Sequence, residues 1–195
     1  MDITTEEIKK LREVTGAGMM DAKKALQEAG NFDEAITILR KKGHASLAKR
    51  AGRSAKEGIV ISYIHAGGKV GVLLELNSET DFVARNEAFK ELAQEIALHI
   101  AAASPLYVSR EEVSQNAIDN ERAIYAEQIQ GKPENMKEQI LSGKLEKFYE
   151  QVCLLDQTYV RDADKKIKDL IAEKVAKLGE NIQVRRFVRF VVGAE

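Results

Sequence analysis

The sequence predicts an α+β fold, in which three short N-terminal helices precede a three-stranded antiparallel sheet packed with further helices. Two changes of period along the chain predict this architecture. The first fifty residues carry apolar side chains at helical spacing. Residues 59–77 instead contain two β-branched, apolar runs around a tight turn, and residues 182–192 alternate in a similar way. Helical segments lie between these runs, which places helices against the sheet.

Residues 1–44 are predicted to form a three-helix module. Thr4 and Glu7 have the spacing of a capping box, in which each side chain accepts from the other residue's backbone amide. Apolar side chains then recur along one face of each helix. The segments that stop the three helices are, in order, Thr15–Gly18, Gly30 and Gly43. A core of this size is marginal, so we expect the module to serve as a docking piece attached to a larger domain.

Residues 45–56 are predicted to form a basic linker or an exposed helix extension. Seven basic residues and no acidic residue lie between Arg40 and Lys56, among many small side chains. This run and Arg185–Arg189 near the C-terminus could instead contact RNA or the ribosome. In that case the chain would be an RNA- or ribosome-binding module. No aromatic residue lies between the charges of the basic run, and this weakens the RNA hypothesis.

Residues 57–195 are predicted to form the α+β core. Ile59–His65 and Val70–Asn77 flank the turn sequence Ala66-Gly67-Gly68-Lys69, which predicts a β-hairpin. The natural partner of this hairpin is the strand predicted over 182–192. The residues expected on the apolar side of that last strand are Ile182, Val184, Val188 and Phe190.

Four helices are expected between the hairpin and the last strand. Ser109 and Glu112 have a capping-box spacing, which predicts that one of these helices starts there and runs to about Gln130. The last of the four is predicted over 164–178 and is stopped by Gly179.

Composition excludes several classes of protein. The chain has 30 basic and 31 acidic residues, and a formal net charge of −1 argues against a protein that coats polyanions. The single cysteine, Cys153, allows neither an internal disulfide nor a multi-thiolate metal site, which suits a reducing compartment. No apolar run approaches the roughly 20 residues that cross a bilayer, and residues 1–7 lack a signal-peptide pattern. We therefore expect a cytoplasmic protein with no membrane contact.

The sequence offers no catalytic constellation. The three histidines, His44, His65 and His99, lie on different predicted elements without the spacing of metal ligands or of a triad. Gly16-Ala17-Gly18 resembles a dinucleotide-binding turn, but no strand precedes it and the third glycine is missing. We expect neither an enzyme nor a bound cofactor or metal ion.

Thr80-Asp81-Phe82-Val83 is the strongest candidate site. An acidic residue and a large aromatic residue stand together between a strand and a helix, where loops reach the surface. The competing interpretation is structural: Asp81 or Asn86 would cap the helix, and Phe82 would pack against Phe89. Composition alone favours this structural interpretation.

Three blocks of sequence resemble bacterial elongation factor Ts. They are EIKKLREVTGAGMMDAKKAL over 7–26, NSETDFVARN over 77–86 and GENIQVRRF over 179–187. The blocks cover both predicted modules in the family's order, whereas 104–143 is less specific. The chain resembles the short form of the family, because only about a hundred residues follow Phe82.

The resemblance implies a non-enzymatic guanine-nucleotide exchange factor that binds elongation factor Tu with GDP. The N-terminal module would have a ubiquitin-associated-like fold, and its docking surface would be formed by Thr15, Gly16, Ala17, Gly18, Met19 and Met20. The family's Thr-Asp-Phe-Val stretch falls on Thr80, Asp81, Phe82 and Val83, and is associated with displacing Mg²⁺ from the partner. Short forms pair through their sheets, which implies a homodimer in a two-plus-two complex without direct nucleic-acid contact.

Overall fold

The computed structural model describes residues 3–194 and confirms the α+β class. Three strands form one antiparallel sheet in the order β1-β2-β3. The strands are β1 (Glu57–Ile64), β2 (Val70–Ser78) and β3 (Gln183–Val191). The helices of the described chain are α1 (Thr5–Thr15), α2 (Met19–Glu28), α3 (Phe32–Arg50), α4 (Asp81–Ala84), α5 (Glu87–Ala103), α6 (Gln115–Gln128), α7 (Glu134–Val152) and α8 (Ile167–Leu178).

The N-terminal helices α1, α2 and α3 pack around a small apolar core of their own. The predicted capping box is present: the backbone amide of Thr4 donates to Glu7 Oε2 at 2.8 Å, and that of Glu7 donates to Thr4 Oγ1 at 3.2 Å. Its buried residues are Ile8, Leu11, Ala22, Ala25 and Ala35, and the three alanines allow close helix contacts.

The third helix does not end near Gly43, as the sequence suggested, but continues to Arg50. Gly43 is buried, and a Cβ atom there would lie 3.4 Å from the carbonyl oxygen of Ala172 in α8. This glycine therefore permits two helices to approach closely instead of stopping one of them. The first half of the predicted linker 45–56 is consequently helical. The domain boundaries 1–44 and 57–195 stay predictions, and residues 1, 2 and 195 lie outside the described residues.

The main core lies between the inner face of the sheet and helices α5 and α8. Strand β2 is central, and its inward side chains Val72, Leu74 and Leu76 are buried. Phe89 on α5 is completely buried in the same core. Strand β2 pairs with β1 and β3, and helices cover one of its faces. The segment that follows β2 therefore begins at a well-fixed point of the core.

A β-bulge in β3 reverses the predicted sides of that strand. Glu75 is paired with Arg186 but Leu76 with Val184, so Arg185 is an extra residue opposite the β2 ladder. Val184 is buried as predicted, whereas Val188 and Phe190, expected on the apolar inner side, are exposed. The sequence prediction for those two residues was wrong because it continued the alternation through the bulge.

The predicted helix from Ser109 to Gln130 is two separate elements. Glu112 accepts the amide of Val108 at 2.8 Å and does not cap Ser109, so only a 3-10 turn forms over Arg110–Glu112. Helix α6 starts later, where Ser114 accepts the amide of Ala117. Helix α8 starts at Ile167 and not at 164, although it ends at Gly179 as predicted.

Candidate functional site

The Thr80–Val83 segment forms the beginning of α4, a single turn directly after β2. Thr80 caps this turn, and its Oγ1 accepts the amide of Val83 at 3.4 Å. Val83 and Ala84 are buried and anchor the turn to the core. The side chain of Phe82 points the other way and is 79% exposed. The part of the structural interpretation in which Phe82 packs against Phe89 is therefore wrong.

The carboxylate of Asp81 is also exposed, but it has a partner within the chain. Arg85 Nη2 donates to Asp81 Oδ2 at 2.7 Å across one helical turn. Both side chains are mostly in contact with solvent, and such a pair stabilises the folded state by less than about 1 kcal/mol. A partner protein could therefore take over the Asp81 carboxylate at small cost. Asn86, proposed as a cap, does begin the next helix by accepting the amide of Ala88.

The predicted docking loop, 15–20, connects α1 to α2 in a defined conformation. Gly16 has a φ of +66°, a left-handed conformation that ends α1 and favours glycine. Thr15 Oγ1 donates to the carbonyl of Leu11 at 2.6 Å, and Arg12 Nε donates to the carbonyl of Ala17 at 3.2 Å. The residues of this loop that the structure leaves exposed are Gly16, Gly18, Met19 and Met20, whereas Thr15 and Ala17 are half-buried.

One exposed apolar residue lies next to this loop. Val14 continues the helical spacing of Ile8 and Leu11 on α1, which predicts burial, yet 51% of it is exposed. With Met19 and Met20 it gives the end of the module an apolar surface. Val14 lies in the last turn of α1, which ends at Thr15 with Gly16 as its C-cap.

The outer face of the sheet is a second exposed apolar surface. The strand register places side chains in three rows across the sheet: Ile64, Gly71 and Phe190; Ser62, Leu73 and Val188; Val60, Glu75 and Arg186. The apolar members of these rows are between 42% and 68% exposed. Exposed large apolar side chains that are contiguous in this way mark interaction surfaces.

Several of the arginines that the alternative hypothesis assigns to RNA binding have partners within the chain. Arg50 Nε donates to the carbonyl of Gly179 at 3.0 Å, and Arg53 pairs with Glu79. Arg186 pairs with Glu75, and Arg189 donates to the carbonyl of Ala101. These contacts direct the guanidinium groups to protein acceptors, which makes them less available to phosphate.

The histidines and the cysteine lie in separate environments. His44 pairs with Asp169, His65 contacts the hydroxyl of Tyr63, and buried His99 contacts Gln157. Burial lowers the pKa of His99, which keeps its imidazole neutral. Burial raises the pKa of the Cys153 thiol to about 11, so this group is not a thiolate nucleophile at neutral pH. Among residues 3–194 no helix is long and apolar enough to span a membrane.

The family model for elongation factor TS matches residues 2–194, almost the whole chain. The chain belongs to the elongation factor Ts family. Elongation factor Ts of Thermodesulfovibrio yellowstonii is 60% identical over 195 residues, which cover 99% of this chain and 98% of that protein. That of Thermotoga petrophila is 57% identical over 194 residues, with the same two coverages.

Membership confirms the resemblance that the three sequence blocks indicated, and it makes the chain a translation elongation factor. Elongation factor Ts of Fervidobacterium nodosum is 58% identical over 196 residues, covering 99% of this chain and all of that protein. The chain therefore has the length of these relatives. The acid–aromatic turn at 80–83 and the loop at 15–20 are two exposed features that lie within the sequence blocks resembling this family.

Proposed function

We propose that the chain is a non-enzymatic guanine-nucleotide exchange factor, which binds elongation factor Tu with GDP and promotes GDP release by dislocating Mg²⁺. The exposed ring of Phe82 is the observation that carries this proposal. Phe82 lies on a turn that is anchored in the core, and this presents a large aromatic side chain that can bury its ring in a partner's surface. Family membership supports elongation factor Tu as that partner.

An inserted aromatic ring can act on a bound metal without touching it. Mg²⁺ requires near-ideal octahedral oxygen coordination, so small displacements of its ligands strongly weaken binding of the ion. Protein interiors are close-packed and transmit such displacements. Insertion of Phe82 between packed elements of the partner would shift them, and the Asp81 carboxylate could hold the shifted state by accepting a hydrogen bond. Thr80 and Val83 would shape the turn and not make the decisive contact.

The energies involved favour Phe82 over any surface charge. Accelerating nucleotide release a thousandfold requires a barrier lower by about 4 kcal/mol. Burial of a phenylalanine side chain supplies roughly 1.5–3 kcal/mol, and disturbance of the metal adds to it. An exposed ion pair supplies less than about 1 kcal/mol. By linkage, GDP must weaken binding of the factor by the same ratio as the factor weakens binding of GDP.

The loop 15–20 would provide a separate docking contact on the nucleotide-binding domain of the partner. Met19 and Met20 are 47% and 64% exposed, and methionine side chains adapt well to a partner's surface. Docking through this loop would set affinity, whereas Phe82 would act on the rate of release. Neither the docking contact nor the insertion of Phe82 would require covalent chemistry.

Phe82→Ala is expected to slow GDP release by about tenfold to a hundredfold, the equivalent of one buried phenylalanine side chain. The measurement follows fluorescent GDP leaving a bacterial elongation factor Tu after addition of the factor. Asp81→Ala should have a smaller effect because its carboxylate already has a partner in Arg85.

Leu106→Ala is the matched control, since this side chain is 69% exposed but lies outside the two candidate surfaces. It should exchange at the wild-type rate. Circular dichroism should show that all three variants keep the fold. Wild-type exchange by Phe82→Ala would refute the role of this ring.

The outer face of the sheet supports a homodimer, which would give a two-plus-two complex with elongation factor Tu. Leu73 lies at the centre of this face, with Val188 and Phe190 on one side and Val60 and Ile64 on the other. Two copies that stack these faces would bury the exposed apolar rows of both sheets.

Leu73→Lys is expected to convert the dimer to a monomer, because it places two charges near the centre of the buried face. Light scattering after size-exclusion chromatography measures the mass directly. Leu106→Lys, at an exposed apolar position off the sheet, should stay dimeric. A monomeric wild-type protein at micromolar concentration, or a dimeric Leu73→Lys variant, would count against pairing through the sheet.

A further inference from the structure

We infer that Glu180 is a positioning residue, whose carboxylate holds Thr80 so that Phe82 is presented to the partner in one orientation. The inference rests on the proposed role of Phe82 and extends it to a residue a hundred positions away in the chain. Glu180 lies in the turn between α8 and β3. We expect it to act through Thr80 and not by contacting the partner itself.

The contact between these residues is bidentate. The backbone amide of Thr80 donates to Glu180 Oε2 at 3.0 Å, and Thr80 Oγ1 donates to Oε1 at 2.7 Å. Hydrogen bonds to an ionised acceptor are about twice as strong as neutral ones. The same Thr80 hydroxyl accepts the amide of Val83, so the carboxylate also orients the cap of α4. Phe82 therefore lies two residues after a cap whose hydroxyl and backbone amide both donate to the Glu180 carboxylate.

A second carboxylate makes the reverse contact. Glu79 Oε1 accepts the backbone amide of Asn181 at 2.7 Å and lies 3.4 Å from Arg53 Nη1. The segments 79–80 and 180–181 thus exchange carboxylate contacts in both directions. Such reciprocal contacts resist sliding as well as separation, because each carboxylate accepts from a backbone amide of the opposite segment.

The same turn is connected to the N-terminal helices. The carbonyl of Gly179 accepts Arg50 Nε at the end of α3, and Asn181 Nδ2 donates to the carbonyl of Arg53 at 2.8 Å. Helix α3 belongs to the module that carries the docking loop. The turn that contains Glu180 therefore contacts both the segment that carries Phe82 and the end of α3, the last helix of the docking module.

Loss of Glu180 would leave α4 poorly determined. One helical turn of four residues is not stable by itself, since helix formation requires a longer segment or outside support. Val83 and Ala84 would still anchor its end in the core. The start of the turn, where Asp81 and Phe82 lie, would lose the contacts that fix it.

The first experiment measures this positioning in the isolated protein. The sequence contains no tryptophan, so Phe82→Trp introduces a single reporter. Time-resolved fluorescence anisotropy of Phe82→Trp should show overall tumbling together with a limited fast component, because an exposed ring rotates by itself. Adding Glu180→Ala should increase the amplitude of the fast component, because the turn that carries the ring would then move as well. Equal decays with and without Glu180→Ala would overturn the inference, whatever the protein's activity.

The second experiment measures exchange on elongation factor Tu with fluorescent GDP. Glu180→Ala should lower the maximal release rate by about tenfold, while the concentration at half-maximal rate changes by less than about threefold. In the Phe82→Ala background, Glu180→Ala should cause little further loss, because its effect passes through the ring. Losses that multiply in the double variant would show that Glu180 acts independently, and would overturn the inference.

Two conservative variants separate length from charge and also serve if Glu180→Ala does not fold. Glu180→Gln keeps the length and an acceptor for the Thr80 amide, and should retain most of the exchange rate. Glu180→Asp keeps the charge but is too short for both bonds, and should resemble the alanine variant. The opposite order would refute positioning. Wild-type exchange by Phe82→Ala would refute the proposed function instead, and the anisotropy result would still decide the role of Glu180.

Discussion

Gly58→Ala is expected to destabilise the protein by about 3 kcal/mol or more, at the upper end of single-residue effects. Gly58 lies in β1 with a φ of +145°, a conformation that side chains rarely adopt. A Cβ atom there would lie 2.7 Å from Cα of Asn77 and still closer to the carbonyl oxygen of Leu76. Both atoms belong to the backbone of the central strand, so no side-chain rotation can relieve the contact.

The consequence should reach the candidate site, because Leu76 and Asn77 come shortly before α4 in the chain. Thermal and urea unfolding measure the loss. Gly143→Ala is the matched control: Gly143 lies on the exposed side of α7, and an added Cβ there meets nothing within 4 Å. It should stabilise α7 by roughly 0.5–1 kcal/mol. Equal stability of the wild type and Gly58→Ala would contradict the close strand contact described here.

Local patterns were sufficient to predict the fold class. The hairpin follows from two β-branched runs around adjacent glycines, and the pairing of the last strand with it is confirmed. The capping box at Thr4 and Glu7 is also confirmed. These features depend on residues that lie within a few positions of one another, so a single sequence contains the information.

Two of the wrong predictions involve contacts between distant segments, and a third involves a local contact. Gly43 resembles a helix stop until Ala172 is seen beside it, and a glycine required by a close approach has no separate local signal. The extra residue Arg185 reverses the sides of β3 after the bulge, and only the pairing with β2 shows this. Ser109 and Glu112 have capping-box spacing, but Glu112 caps Val108.

The candidate site was predictable in part. The residue types of Thr80–Val83 and the place of this segment after a strand indicated a site. The resemblance to elongation factor Ts gave a second reason to choose it. Whether Phe82 faced the core or solvent depended on which neighbours filled the core, and Phe89 is the completely buried phenylalanine there. The contact between Thr80 and Glu180 spans a hundred residues and has no sequence pattern of its own.

Arg110→Met is expected to destabilise the protein by about 2–3 kcal/mol at pH 7, less than a fully buried pair because 35% of the Arg110 side chain is exposed. Arg110 donates to both oxygens of Asp156, at 2.7 and 3.0 Å, and to both oxygens of Glu146, each at 2.8 Å. Asp156 is buried, so removing the guanidinium leaves a carboxylate whose remaining cation is Lys168 at 3.4 Å.

The pH dependence separates this mechanism from a simple loss of packing. Burial raises the pKa of Asp156, but the hydrogen bonds and charges of Arg110 and Lys168, with Arg110 the larger contributor, together hold that pKa below its ordinary value. In the wild type this stabilisation is present above the unfolded pKa and is lost as pH falls through the folded pKa. In Arg110→Met, protonation instead relieves a buried charge that has lost Arg110 and keeps Lys168 as its remaining cation.

The difference in unfolding free energy between wild type and Arg110→Met should therefore shrink as the pH falls from about 7 towards 3. Urea unfolding at several pH values measures it. Lys90→Met is the control, because Lys90 pairs with Glu87 on the exposed surface and its loss should cost less than about 1 kcal/mol at any pH. A pH-independent difference for Arg110→Met would mean that packing against Tyr149, and not the Asp156 charge, makes this arginine important.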